Sequence, residues 1–213
     1  MAEPEGRIII VTGATGALGR LVCELLDERG AIVIAVSTDA PGLESVAGTS
    51  HFACDLSDES AVRELASIVH GQYGRVDGLL HLVGGWRPGS STDEFAWLEA
   101  RILTTLRVCT LAFADELASS TAGRLAIVSS TAVDTPSWNS ANYSTLKAAS
   151  EVWVRAVAER WSRGHTAAAV SFAVRAIGDF EGSTSPYLLA EQLAALWNAP
   201  AHKINGARIS LAA

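Results

Sequence analysis

The sequence predicts a doubly wound α/β fold, with a central parallel sheet of about seven strands flanked by helices. Three observations lead there. Short apolar runs alternate with longer amphipathic ones along all 213 residues. The short runs are apolar on both faces, as strands are when helices cover both sides of a parallel sheet. A glycine-spaced loop, "VTGATGALG", lies between the first such run and the first amphipathic one.

Taken in order, "RIIIVT" (7–12) reads as a strand and residues 17–29 as a helix. Strands follow at 31–37 and 50–54. The stretch "SDESAVRELASIVHGQY" carries helical periodicity, with Ser57 as its expected N-cap and Ser60 three residues on. "DGLLHLVG" (77–84) is strand-like, and the Pro/Gly-rich "GGWRPGSSTD" (84–93) is a loop at its carboxyl end. One long helix fits 93–119. A strand at 123–130, a helix at 140–163, a strand at 166–174, a helix at 186–197 and a strand at 207–212 complete the pattern. No linker or repeat divides the chain, which predicts one domain over 1–213.

Composition narrows the function. Hydrophobic residues make up 49% and charged ones 18%, as in a globular protein with buried strands. A net charge of −7 argues against a nucleic-acid partner. No apolar run reaches the roughly 18 residues of a membrane span, and the N-terminus lacks the basic start of a signal peptide. Cys23, Cys54 and Cys109 are scattered and odd in number, so reduced cytoplasmic thiols are expected, with neither disulfide nor metal site. A small-molecule enzyme is the expectation.

Three motifs carry chemistry. Gly13, Gly16 and Gly19 suit a tight turn whose amides approach a pyrophosphate at a helix N-terminus. The same glycines also suit close strand–helix packing alone. Asp55, ending the third strand, either accepts a hydrogen bond from an adenine amino group or caps the next helix. "YSTLK" puts Tyr143 and Lys147 one helical turn apart. With only three Tyr and two Lys in the chain, random placement rarely produces that spacing.

Together these residues resemble the short-chain dehydrogenase/reductases over nearly the whole chain. The loop at 12–19, Asp55, the strand-end Gly84, "VSS" at 128–130 and Y-x-x-x-K at 143–147 fall in the family's order. The "VGGW" stretch (83–86) is similar to the dihydropteridine reductase branch. The resemblance implies a Rossmann fold that binds NAD or NADP. It places the cofactor on Gly13, Thr15, Gly16, Leu18, Gly19, Ser37, Thr38, Asp55, Leu56, Val83, Gly84, Tyr143 and Lys147. It makes Ser130, Tyr143 and Lys147 catalytic, with Thr104 standing where the family has an asparagine of the proton relay. His81-Leu82-Val83-Gly84 departs from the usual Asn-Asn-Ala-Gly, and Arg175-Ala176 from the usual Pro-Gly. The lid is reduced to "GDFEGSTSPY".

On this reading Tyr143 is the general acid or base, its pKa lowered by the Lys147 ammonium. Ser130 hydrogen-bonds the substrate oxygen. Trp86 and Trp138 either form an aromatic substrate wall or merely cover core. His81 is expected to be a packed strand residue. Asp39, two residues past the second strand, stands within reach of ribose hydroxyls, and the choice between NAD and NADP stays open. The function expected is hydride transfer between the nicotinamide and a small carbonyl or alcohol substrate. The alternative is a catalytically weak dinucleotide-binding subunit with a sensing or scaffolding role. The family also implies a homodimer or homotetramer, with part of the Trp153, Val154 and Val157 stripe facing a subunit.

Overall fold

The computed structural model describes residues 4–164 and 166–211. Its strands are β1 (Ile8–Thr12), β2 (Ile32–Ser37), β3 (Ser50–Ala53), β4 (Gly78–His81), β5 (Arg124–Ser130), β6 (Ala168–Val174) and β7 (Arg208–Ser210). They form one parallel sheet in the order β3-β2-β1-β4-β5-β6-β7. The predicted architecture is therefore the observed one. β1, β4 and β6 are buried along their whole length, whereas the edge strand β3 alternates. Residue 212 of the last predicted strand lies outside the described residues.

The helices are α1 (Ala17–Glu28), α2 (Ala40–Leu43), α3 (Glu59–Tyr73), α4 (Thr92–Glu99), α5 (Thr105–Ser119), α6 (Ala141–Trp161), α7 (Pro186–Ala194) and α8 (Ala201–Ile204). One core lies under α1 and α7 and contains Val22, Leu26, Leu189 and Trp197. The opposite core joins α3, α5 and α6 through Leu65, Phe113 and Trp161. The four-residue helices α2 and α8 are too short to show a period in sequence.

Two local expectations change. Asp58, not Ser57, caps α3, its carboxylate accepting from the Ser60 and Ala61 amides. Ser57 instead gives its amide and hydroxyl to Asp55 Oδ1, at 2.9 and 2.7 Å. The single helix expected over 93–119 is three segments. A capping box between Ser91 and Glu94 starts α4, a π-helical turn spans Ala100–Thr104, and α5 continues from there. The extra residue in that turn rotates everything downstream.

The sheet order creates the site. The chain runs outward from β1 to β3 and then returns to place β4 on the other side of β1. The loops after β1 and β4 part in opposite directions, leaving a crevice at the carboxyl ends of the strands.

Candidate active site

The glycines divide their labour. Gly13 has φ +69°, and a Cβ there would sit 3.1 Å from the Leu82 carbonyl carbon. A Cβ on Gly19 would lie 2.2 Å from the Gly13 oxygen, so Gly19 lets α1 pack onto the turn. At Gly16 a Cβ meets only the Gly13 oxygen, at 3.3 Å; the residue caps α1 and borders open space. Arg20 fixes the loop from below, donating to the Thr15, Gly42 and Ser45 oxygens.

Two cavities meet at this loop. One, of about 630 Å³, is lined by Gly13, Gly16, Leu18 and Gly19, by Val83 to Trp86, and by Ser130, Tyr143 and Lys147. The other, of about 440 Å³, is lined by Thr15, Ser37, Thr38, Asp55 and Leu56, and shares Gly13, Gly16, Val83 and Gly84. Each residue expected to hold a cofactor thus borders one cavity or the other. Ser37 shares a 2.7 Å hydrogen bond with Thr15. Asp39 spends its carboxylate on the Gly42 amide, capping α2.

Ser130 ends β5, paired with Val174, and Tyr143 and Lys147 project from the start of α6. Lys147 is only 7% exposed, and its Nζ donates to the Val128 oxygen at 2.7 Å. Nζ lies 5.7 Å from the centre of the Tyr143 ring. Burial pulls the Lys147 pKa down to about 8, while the Glu151 carboxylate opposes that shift. The tyrosine departs from expectation: burial raises its pKa, with the Ser130 hydroxyl pulling back. The ammonium is occupied by a carbonyl rather than aimed at the phenol.

His81 is buried as expected, and its contacts tie the crevice together. The Leu82 amide donates to Thr12 Oγ1 (3.2 Å), and the Thr105 hydroxyl donates to the Arg101 oxygen (2.7 Å). Thr12 Oγ1 lies 3.0 Å from Nδ1, and Thr105 Oγ1 lies 3.1 Å from Nε2. With both hydroxyls so committed, a neutral ring carrying its proton on Nε2 satisfies every partner. Burial, and secondarily Lys147, holds the pKa down at about 3.

Thr104 lies away from the other expected site residues. Its hydroxyl donates to Glu99 Oε1 at 2.7 Å, and it lines neither cavity. The π turn gives the inward position to Thr105. Trp86 does border the larger cavity, but Trp138, 82% exposed, borders neither. Sequence reasoning missed Trp97, whose ring lies between the guanidinium groups of Arg87 (3.8 Å) and Arg101 (4.1 Å). It packs so closely on Gly85 that a Cβ there would come within 2.7 Å. It thereby fixes the loop carrying Trp86. Arg175 and Ala176 line the larger cavity, and the segment that follows folds back on itself through the Gly178 amide to Thr184 oxygen bond.

An all-parallel α/β protein with a glycine loop at the strand reversal and a serine, tyrosine and lysine facing one cavity is a defined class. The chain belongs to the short chain dehydrogenase family, whose model matches residues 7–174. It is 32% identical over 88 residues to a D-threitol dehydrogenase of Mycolicibacterium smegmatis, covering 38% of this chain and 34% of that one. It is 28% identical over 215 residues to the 3-oxoacyl-acyl-carrier-protein reductase FabG of Vibrio harveyi, covering 96% and 86%. The match to the D-threitol enzyme thus spans about a third of that relative's length. A solved 7α-hydroxysteroid dehydrogenase, complexed with NADH and 7-oxo glycochenodeoxycholic acid, superposes with a TM-score of 0.88. Its identity is 19%, with coverage of 99% and 94%.

Among the described residues no helix is long and apolar enough to cross a membrane. No group of three or more His, Cys, Asp or Glu there could hold a metal ion.

Proposed function

We propose that this chain is an NAD- or NADP-dependent oxidoreductase acting on a small carbonyl or alcohol substrate. The observation that carries this is the convergence of Ser130, Tyr143 and Lys147 on the cavity that begins at the glycine loop. The residues present fit a dinucleotide. Gly16 leaves space at the N-terminus of a twelve-residue helix, where a diphosphate is favoured. The hydroxyls of Thr15, Ser37 and Thr38 and the Asp55 carboxylate would hold the adenosine half in the smaller cavity. Gly84, Tyr143 and Lys147 would face the nicotinamide half in the larger one. The cofactor, when bound, supplies or accepts hydride.

The chain's own residues do the rest. Tyr143, half-buried and protonated at neutral pH, gives its phenolic proton to a carbonyl oxygen in reduction. The Ser130 hydroxyl donates to the same oxygen as charge builds on it. In oxidation the proton moves the other way, onto the tyrosine oxygen. Lys147, bonded to the Val128 carbonyl, would act on the phenolate left after proton transfer as a nearby charge and would hold the nicotinamide ribose. Trp86 and Ile177 give the mouth of the cavity an apolar wall, which suits an aromatic or heterocyclic substrate. The dehydrogenase and reductase names of the relatives support the reaction class. Leu111 and Val152, exposed on α5 and α6, support assembly as a homodimer or homotetramer through that face. Three buried free cysteines suit a cytoplasmic location. Screening quinonoid, diketone and keto substrates with both cofactors tests the proposal; a blank screen despite tight dinucleotide binding would favour the scaffolding alternative.

A further inference from the structure

One helical turn beyond Lys147, α6 carries a second buried charged group. Glu151 is 5% exposed, on the face of α6 that meets the sheet. Its Oε1 accepts from Ser129 Oγ at 2.5 Å and from Arg208 Nε at 2.9 Å. Arg208 belongs to β7, the edge strand on this side of the sheet. Its Nη2 continues to the Ser130 oxygen (3.3 Å) and to Asp134 Oδ2 (2.8 Å), in the turn that follows Ser130. Helix α6, the end of β5, the turn after Ser130 and the edge strand β7 are thus joined through one carboxylate and one guanidinium.

A buried carboxylate is costly unless paired and hydrogen-bonded. An apolar residue would fill the same space between α6 and β5 without that cost, so the charge needs a reason. The groups facing it are Ser129 from β5, Arg208 from β7 with Asp134 behind it, and Lys147 on its own helix. Those facing Lys147 are Tyr143 and Glu151 on α6, neutral His81 from β4 and the Val128 carbonyl from β5. Among these, Glu151 is the negative charge acting on the ammonium. Resting on the reading of Tyr143 and Lys147 given above, we propose that Glu151 is a positioning residue for Lys147. Clamped from two sides by Ser129 and Arg208, its carboxylate supplies the buried counter-charge that keeps the lysine an ammonium in the reacting state.

The chain contains only two lysines, Lys147 and the exposed Lys203. Labelling lysine with ¹³C at Cε therefore gives two signals, and a pH titration reads Lys147 directly, without substrate. In the wild-type protein Lys147 should titrate near pH 8. In Glu151→Gln, which keeps the shape and removes the charge, the midpoint should fall by about half a unit or more. The alkaline fall of kcat/KM should move down with it. A role in packing alone would lower the rate equally at every pH and leave the midpoint where it was. An unchanged midpoint in folded Glu151→Gln overturns the proposal. If that variant does not fold, Glu151→Asp draws the charge back by one methylene and should lower the midpoint in the same direction; no shift there is equally fatal. Normal turnover in Tyr143→Phe, with the Lys147 shift intact, would instead refute the proposed function and leave the electrostatic coupling standing.

Discussion

Thr105 Oγ1 lies 3.1 Å from His81 Nε2, whereas Thr104, one residue earlier, turns its hydroxyl onto Glu99. The π turn at Ala100–Thr104 sets this difference and decides which threonine borders the crevice. Thr104→Val should leave turnover within about twofold, as for an exchange away from the reacting groups. Thr105→Val should cost about 1–3 kcal/mol of stability, because a buried imidazole N–H loses its acceptor. Denaturant unfolding of the two variants measures this; equal losses would contradict the register described here.

His81 should also make stability depend on pH. Its folded pKa, about 3, lies below the ordinary imidazole value, so the unfolded chain binds the proton more tightly. The contribution is full above pH 6.5 and is lost progressively as pH falls toward 3, at up to about 1.4 kcal/mol per pH unit. Unfolding free energies at pH 7 and pH 5 should therefore differ more in the wild type than in His81→Asn. The same difference in both proteins would show that His81 takes up its proton without unfolding.

The glycines should separate by function. Gly16→Val adds bulk where only the Gly13 oxygen is near, so the fold should survive and dinucleotide titration should fail. Gly19→Ala places a Cβ 2.2 Å from that oxygen and should lower stability by several kcal/mol or prevent folding. Tight dinucleotide binding by Gly16→Val would remove the glycine loop from the site.

What the sequence made legible was whatever depends on period and spacing. Short apolar runs revealed the seven strands, although the edge strands β3 and β7 are not buried on both faces, and Gly13, Tyr143 and Lys147 announced the crevice by their intervals. Hidden were features set by a single residue's rotation or by pairing across the sheet. The π turn leaves the apolar pattern of 93–119 nearly unbroken, so Thr104 and Thr105 exchange places without a signal. Ser57 and Asp58 are both good caps, and only the competing Asp55 carboxylate decides between them. Glu151 and Arg208 are 57 residues apart in the chain and meet because β7 joins β6 beside α6. The Tyr143 pKa is shifted opposite to expectation because burial outweighs the Ser130 hydrogen bond, while the Lys147 ammonium is bonded to Val128.

The most direct test of the central claim compares wild type with Tyr143→Phe by following nicotinamide absorbance. The substrate is the best one from a carbonyl and alcohol screen. The phenyl ring keeps the packing and removes the transferable proton, so kcat should fall by about 10²-fold or more while cofactor affinity changes little. Near-wild-type turnover in Tyr143→Phe would contradict the account and assign the proton to another group.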